Sequence, residues 1–172
     1  MTDAVKQQVA AHWDRRASHF DDDFGHSIRT PAERAAWDRI LHLVLRGLPA
    51  GDALDVGCGT GFLSFELAAR AMALRFEHGD AERLTFTSRS FDLVMTRHVL
   101  WTLPHPETAH QLPYLGGRSR EQIVALFEAH GLVAVGSDPL LDLVAAQAQR
   151  MIAEGREQRT RRRFVVWGVV TS

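Results

Sequence analysis

Three glycines at alternate positions constrain this chain more than any other stretch. Residues Ala53–Val56 are mostly apolar and predict a short strand buried on both faces, and Gly57, Gly59 and Gly61 follow it directly. Glycine at such positions permits a tight turn and lets a ligand approach bare backbone. A strand, a glycine turn and the start of a helix together predict a site for a polar or anionic group on a nucleotide-like ligand.

The spacing within this loop separates two kinds of nucleotide site. The dinucleotide fingerprint has two residues between its second and third glycines, whereas here only Thr60 lies between them. An acid, Asp55, also stands two residues before the first glycine. The helix after the loop is predicted to place Leu63 and Leu67 on one face, with Thr60 as its cap. A purely structural turn in another α/β protein remains the alternative.

The run Asp55–Gly61, with the sequence DVGCGTG, resembles the first motif of class I, Rossmann-like, S-adenosylmethionine-dependent methyltransferases. The resemblance implies an α/β fold with a mostly parallel sheet, an antiparallel last strand and flanking helices. It divides the chain into an N-terminal helical cap over residues 1–48 and a methyltransferase core over residues 49–172. It also implies transfer of a methyl group from S-adenosylmethionine to a small-molecule acceptor by in-line displacement.

The same resemblance implies which residues bind the cofactor. Residues 74–81 alternate like a strand and end in an acid, as in the family segment that meets the adenine ring. Asp80 would accept a hydrogen bond from the adenine amino group, and the Ala81 amide would meet the ring. The alternative for Asp80 is a turn residue. Arg97 follows a predicted strand over Phe91–Thr96. It would bind the cofactor chiefly through its backbone. The implied cofactor-binding residues are Phe20, Asp55, Gly57, Cys58, Gly59, Gly61, Asp80, Ala81 and Arg97.

Two helices are predicted before the first strand. The first spans Asp3 to about Phe20, and the second begins at the capping box of Thr30 and Glu33 and ends near Gly47. Their arrangement resembles the family's N-terminal cap, whose first helix closes over cofactor and substrate. Aromatic side chains there would stabilise a sulfonium by cation–π attraction, with plain core contacts as the alternative. Trp13, Phe20 and Phe24 are the candidates for the lid, and Trp13, Phe20 and Trp101 are the candidates for the sulfonium contact.

His98 is the one titratable side chain nominated as a general base, because it follows the predicted strand at the ligand-binding edge of the sheet. A structural histidine bonded to backbone is the alternative. The nine histidines show no metal-ligand spacing, so no metal is expected. The predicted substrate-facing residues are Trp13, Phe24, His98 and Trp101.

The C-terminal third predicts a helix, a strand, a second helix and a final strand. The first helix begins at the Ser119–Gln122 capping box. The strand, the second helix and the final strand are predicted over Leu132–Val135, Pro139–Glu154 and Phe164–Val170.

Two strand–helix segments that the family has are missing from this sequence, one near Ala69–Met72 and one near Ala109–Gln111. Either the natural chain is a reduced variant or, as we favour, segments of a longer chain are absent there. The family acid for the ribose hydroxyls falls in the first gap, and Glu77 is a weak substitute for it.

Composition narrows the class of protein. The formal net charge is −1, so neither nucleic acid nor membrane is expected as a partner, and the basic run Arg159–Arg163 is interpreted as a solvated turn. The single cysteine, Cys58, excludes an internal disulfide and suits a reducing cytoplasm. The position of Cys58 in the loop suggests a small side chain that fills space, with a reactive nucleophile as the alternative.

Two other functions remain as alternatives to methyl transfer: a nicotinamide-dependent oxidoreductase and a catalytically silent cofactor-binding protein. Oxygen, nitrogen, sulfur and carbon nucleophiles all occur as methyl acceptors on this scaffold.

Overall fold

The computed structural model describes residues 3–23, 25–48, 50–70, 72, 75–81, 83–87, 90–99, 120–129, 132–156 and 165–170. The chain divides into two compact units, Met1–Ser27 with Gly47–Gly117 and Ile28–Arg46 with Arg118–Ser172. The division at residue 48 expected from the resemblance stays a prediction. The helices are α1 Asp3–Ala17, α2 Pro31–Val44, α3 Phe62–Ala68, α4 Arg120–Ala129 and α5 Leu141–Ala153, and the strands are β1 Ala53–Val56, β2 Leu93–Thr96, β3 Leu132–Asp138 and β4 Val165–Val170; a 3-10 turn occupies Phe20–Asp22.

The first unit is built on a parallel pair of strands. β1 and β2, the two strands that the apolar runs predicted, pair in parallel from Ala53 with Leu93 to Val56 with Thr96. The expectation that β1 is buried on both faces is wrong, because its four residues are only half-buried. The helix α3 packs on β1, and Leu63 and Leu67 are both buried on that face, as predicted. Parallel strands meet with their carboxyl ends at one edge, so the residues after β1 and β2 lie side by side.

The cap of α3 differs from the prediction. Gly61, in the left-handed region with φ of 86°, is the N-cap residue and brings no side chain. Thr60 lies one residue too early for that role, and its hydroxyl instead donates to Asp21 Oδ1 at 2.7 Å. The first turn is satisfied from β1, because Asp55 accepts hydrogen bonds from both the hydroxyl and the backbone N–H of Ser64. The assignment of Thr60 as the cap is therefore wrong.

The strand predicted over Leu74–Asp80 is also wrong for residues 75–80, which have neither helix nor strand structure. All six are exposed, and Phe76 keeps 53 % of its surface accessible. An alternating pattern stabilises a strand only where a neighbour pairs with it and one face is buried, and these residues have no buried face. Before them, α3 ends where the Arg70 and Met72 amides both donate to Leu67 O. The segments proposed to be missing stay a prediction, and Ala109–Gln111 lie outside the described residues.

The second unit packs α2 against α5. Thr30 and Glu33 form the predicted capping box at the start of α2, with Pro31 in the first turn. Trp37, Ile40 and Leu41 are buried along one side of the helix. The Glu33 carboxylate is fully buried and also pairs with Arg150 of α5 at 3.2 Å. One side chain therefore caps α2 and joins it to α5.

The strands of the second unit form an antiparallel pair. β3 pairs with β4 from Leu132 with Val170 to Asp138 with Val165, with an irregularity between Val133 and Gly136. The last strand is therefore antiparallel to its neighbour, while its place in a mostly parallel sheet stays a prediction. Within the part of the chain that the structure describes, the strands make two separate pairs and not one continuous sheet. The helices and the parallel pair agree with a Rossmann-like α/β fold.

Candidate functional site

A cavity of about 40 Å³ lies over the glycine loop, at the carboxyl ends of β1 and β2. This is the edge at which open α/β sheets bind ligands. The enclosed space exceeds the roughly 10–15 Å³ that one ordered water needs, so it fits a small polar group. Its lining residues come from the 3-10 turn, the end of β1, the loop, the first turn of α3 and the end of β2: Phe20, Asp55, Gly57, Cys58, Gly59, Thr60, Phe62, Leu63, Arg97 and His98.

The glycines of the loop have left-handed backbone angles, with φ of 71° at Gly57, 56° at Gly59 and 86° at Gly61. A Cβ on Gly57 would overlap with the side chain of Val99, so that glycine is required by close packing. A Cβ on Gly59 would meet only the Gly57 carbonyl oxygen, at 4.0 Å. Gly59 therefore presents bare backbone to open space in the lining of the cavity, as the loop motif predicts for a ligand contact.

Asp55 brings a carboxylate to the base of the cavity. Burial raises its pKa above the ordinary 3.8, and the hydrogen bonds from Ser64 and the charge of Arg97 oppose that rise. The carboxylate is thus a partly desolvated acceptor held in place by the first turn of α3. A cationic group that entered the cavity would favour the ionised form, as Arg97 does.

Cys58 fits the filler role better than the nucleophile role. Burial and the neighbouring charge of Asp55 raise the pKa of its thiol. The thiolate is the reactive form of cysteine, and a raised pKa reduces its population at neutral pH.

Arg97 contributes more than the backbone contact expected for it. Its guanidinium lies 4.8 Å from the centre of the Phe62 ring, a cation–π geometry, and also donates to the Gly25 carbonyl. Its charge acts on Asp55 as well. The arginine side chain therefore connects the end of β2 with the N-terminal segment and with the first residue of α3.

The N-terminal segment lies against the glycine loop within the first unit. Its hydrogen bond from Thr60 to Asp21 joins the loop to the 3-10 turn. Phe20 lines the cavity and packs edge-on against Trp13 of α1, with ring centres 6.0 Å apart. The predicted proximity of α1 to the loop is therefore present, while Trp13 reaches the site through Phe20 and is not in the lining.

His98 has a left-handed backbone, with φ of 61°, directly after β2, and it lines the cavity. This conformation is uncommon outside glycine and costs free energy, and such residues occur often at functional sites. Its ring centre lies 5.4 Å from that of His26, and the His26 ring packs on Phe20 at 4.1 Å. His26 was missed by the sequence analysis, because no motif surrounds it and only the turn after Asp23 brings it here.

The structure brings together six of the nine predicted cofactor residues, namely Phe20, Asp55, Gly57, Cys58, Gly59 and Arg97. Gly61 adjoins them, but it is not in the lining, and neither is Asp80 or Ala81. The Asp80 carboxylate instead pairs with Lys6 of α1 at 2.5 Å. Phe24 and Trp101 lie outside the described residues. The adenine role of Asp80 stays a prediction.

Thr60, Phe62 and Leu63 complete the lining and were not predicted to touch a ligand. Their position in the sequence, next to the loop glycines, could have indicated that they line the site. The described residues contain no group of three or more potential metal ligands. Among the same residues, no helix is both long and apolar enough to cross a membrane.

Comparison with known proteins gives a match that begins within α3 and includes the end of β2. A family model described as a methyltransferase domain matches residues 66–111. The match supports a class I, S-adenosylmethionine-dependent methyltransferase, although it covers less than half of the chain. No curated protein and no solved structure matched the chain.

The methyltransferase-domain match is independent of the glycine loop, because it begins after Gly61 and extends past His98. Members of that family use S-adenosylmethionine. The matched range contains five of the residues predicted for cofactor or substrate, namely Asp80, Ala81, Arg97, His98 and Trp101. Two separate parts of the chain thus indicate methyl transfer.

Proposed function

We propose that this protein transfers the methyl group of S-adenosylmethionine to a small-molecule acceptor. The observation that carries the proposal is the open backbone at Gly59, which lines a cavity shared with a partly buried carboxylate at Asp55. The methyltransferase-domain match over residues 66–111 supports it from a different stretch of chain.

The residues of the cavity fit the amino-acid end of such a cofactor. A Cβ would fill the space above Gly59, so the peptide groups of the loop accept a close neighbour only because glycine stands there. Asp55 is suited to accept a hydrogen bond from an ammonium group, and loop amides are suited to donate to a carboxylate. When bound, the cofactor supplies a methyl group on a positively charged sulfur that is already activated for displacement.

The protein then has to hold the cofactor and the acceptor and align them with each other. In-line displacement needs the acceptor close to the methyl carbon, correctly oriented and shielded from water. Phe20 and Phe62 give the cavity two aromatic walls, and Thr60 holds the N-terminal segment to the loop. In the proposed enzyme these residues orient the cofactor and the acceptor.

A catalytically silent cofactor-binding protein is the second candidate. One observation favours it: the Asp80 carboxylate pairs with Lys6, and residues 75–80 form no strand. The adenine-binding edge expected from the family is therefore not assembled in the described residues. An oxidoreductase reading has no such support, and the one-residue gap between Gly59 and Gly61 disfavours it.

Two measurements test the proposal. Titration calorimetry with S-adenosylmethionine and, separately, with NAD should show binding of the first alone. Release of S-adenosylhomocysteine in the presence of candidate acceptors then separates an enzyme from a silent binder. Binding of NAD in place of S-adenosylmethionine, or of neither compound, would contradict the proposal.

A further inference from the structure

We infer that His98 and His26 act as a proton-accepting couple, and that the methyl acceptor is therefore a protic nucleophile such as a hydroxyl or thiol. This inference rests on the proposed function and names its substrate class. In this couple His98 is the catalytic residue, because it lines the cavity, and His26 is a positioning residue that acts through it.

The tautomer of His26 follows from its hydrogen-bond partner. Nδ1 lies 3.0 Å from the carbonyl oxygen of Phe20, and a carbonyl oxygen can only accept. Nδ1 therefore carries a proton, and in the neutral ring the acceptor nitrogen is Nε2. The ring is held further by packing on Phe20 at 4.1 Å and by the hydrogen bond from its own backbone N–H to Asp23 O.

The separation of the rings suits proton sharing. Two imidazoles joined by a direct N–H···N bond have centres about 5 Å apart, from the ordinary donor–acceptor distance plus the two ring radii. The centres of His26 and His98 are 5.4 Å apart with 41° between the ring planes. The observed separation is close to that value, so in the proposed couple the charge gained by His98 is shared with a ring whose other nitrogen is anchored.

The charged and titratable groups around the couple come from every neighbouring element. His19, Asp21, Asp22 and Asp23 lie in or beside the 3-10 turn, with Arg16 of α1 paired to Asp23 and His19 near Asp22. Asp55 and Cys58 lie on β1 and its loop, and Arg97 precedes His98 at the end of β2. The four carboxylates outnumber the two arginines, so the described charges around the couple form no uncompensated positive cluster.

The chemical step balances with this couple. The lone pair of the acceptor atom forms the new bond to the methyl carbon while the carbon–sulfur bond breaks and its electron pair passes to sulfur. The proton of the acceptor goes to His98, and the couple returns it to water. An acceptor without a proton, such as a thioether, needs no general base. The His98–His26 couple therefore indicates a protic acceptor.

The first test needs no acceptor. Long-range ¹H–¹⁵N spectra of the imidazole rings should show the proton on His26 Nδ1, and His26→Asn should move the titration midpoint of His98 by about half a pH unit or more. Independent titration of the two rings would overturn the couple. His42→Gln, an exposed histidine on α2, is the control and should leave both midpoints unchanged.

The second test uses S-adenosylmethionine with a matched pair of acceptor probes, ethanethiol and ethyl methyl sulfide, and with catechol. At least one protic probe should be methylated about tenfold faster than the thioether. His98→Gln should lower kcat by about a hundredfold and remove the rise of rate with pH, as expected for loss of a general base. Faster or equal methylation of the thioether, or no methylation of a protic probe, would overturn the acceptor class.

The variants at His26 separate proton sharing from simple support. Asparagine retains a donor for the Phe20 carbonyl but cannot titrate, so a merely structural role predicts wild-type rates for His26→Asn. Proton sharing predicts that His26→Asn shifts the midpoint of the pH–rate profile and lowers kcat severalfold. Calorimetry with S-adenosylmethionine is run on the wild type and on the same variants. Absence of binding by the wild type would refute the proposed function. Binding by the wild type together with independent titration of the two histidines would refute only this inference.

Discussion

The Ser64 hydroxyl donates a 2.9 Å hydrogen bond to Asp55 Oδ2, which joins the first turn of α3 to the end of β1. The same carboxylate also accepts the Ser64 backbone N–H. The acid that introduces the glycine loop therefore has a structural task before any ligand arrives. It fixes the start of α3 and so the course of the loop between the two elements.

This arrangement makes Asp55 costly to ionise. Burial raises its pKa, so the folded protein holds the carboxyl proton more tightly than the unfolded chain. Its contribution to the free energy of unfolding is fully present below the ordinary value of 3.8 and is lost as the pH rises through the raised pKa. Asp55→Asn should therefore raise the thermal midpoint at pH 7 by a few degrees, because the amide oxygen still accepts from Ser64, while it weakens binding of S-adenosylmethionine.

Thermal unfolding followed by circular dichroism from pH 3 to pH 8 measures this effect. The stability gain from Asp55→Asn should shrink toward acidic pH, where the native carboxyl is itself neutral. Asp14→Asn, at an exposed carboxylate on α1, is the control and should change the midpoint little. A variant that is less stable than the wild type at pH 7 would show that the charge of Asp55 stabilises the fold.

Close packing at Gly57 makes a separate prediction. Gly57→Ala places a methyl group against the Val99 side chain in addition to the roughly 1–2 kcal/mol cost of a left-handed alanine. The double variant with Val99→Ala relieves the overlap but not the backbone strain. A double-mutant cycle by urea unfolding should thus give a favourable coupling between the two changes. Strict additivity would mean that Val99 does not press on the loop.

The buried pair of Glu33 and Arg150 should dominate the stability of the second unit. Arg150→Met leaves the fully buried Glu33 carboxylate without its cation and should cost about 3–5 kcal/mol. Urea unfolding of Arg34→Met, whose partner Asp38 lies in an exposed pair, should show a loss below about 1 kcal/mol.

A second replacement distinguishes charge from packing at this pair. Glu33→Gln in the Arg150→Met background removes the buried charge, and the amide oxygen still accepts from Thr30. The double variant should therefore regain part of the lost stability. If it is less stable than Arg150→Met alone, the carboxylate matters as the cap of α2 and not as a partner of Arg150.

The sequence was most informative where local chemistry decides structure. The capping box at Thr30 and the apolar run Ala53–Val56 predicted α2 and β1, since their signals lie within a few residues. The prediction failed for residues 75–80, because a strand depends on a partner that no local pattern reports. It failed at Thr60 for a related reason: the left-handed Gly61 is the N-cap, and the first-turn amide of Ser64 is bonded by Asp55, nine residues earlier.

The candidate site shows the same division. The loop glycines and Asp55 could be assigned from their spacing, and they meet at one cavity. The ring contacts of His26 with Phe20 and His98 join residues far apart in sequence, so they emerge only from the folded first unit. Likewise, the pair between Lys6 and Asp80 could not be anticipated, since neither residue lies in a motif that names the other.

Binding of S-adenosylmethionine to Gly59→Ala tests the central claim most directly. Alanine at Gly59 meets no protein atom closer than 4.0 Å, and alanine at Gly155, another left-handed glycine with open space around it, meets none within 4 Å. Both variants therefore carry a similar backbone strain, and only the first places a methyl group in the lining of the cavity. By titration calorimetry, the wild type and Gly155→Ala should bind S-adenosylmethionine alike, and Gly59→Ala should lose at least about tenfold in affinity. Equal affinity in all three proteins, or no binding by the wild type, would contradict the assignment of the glycine loop as the cofactor site.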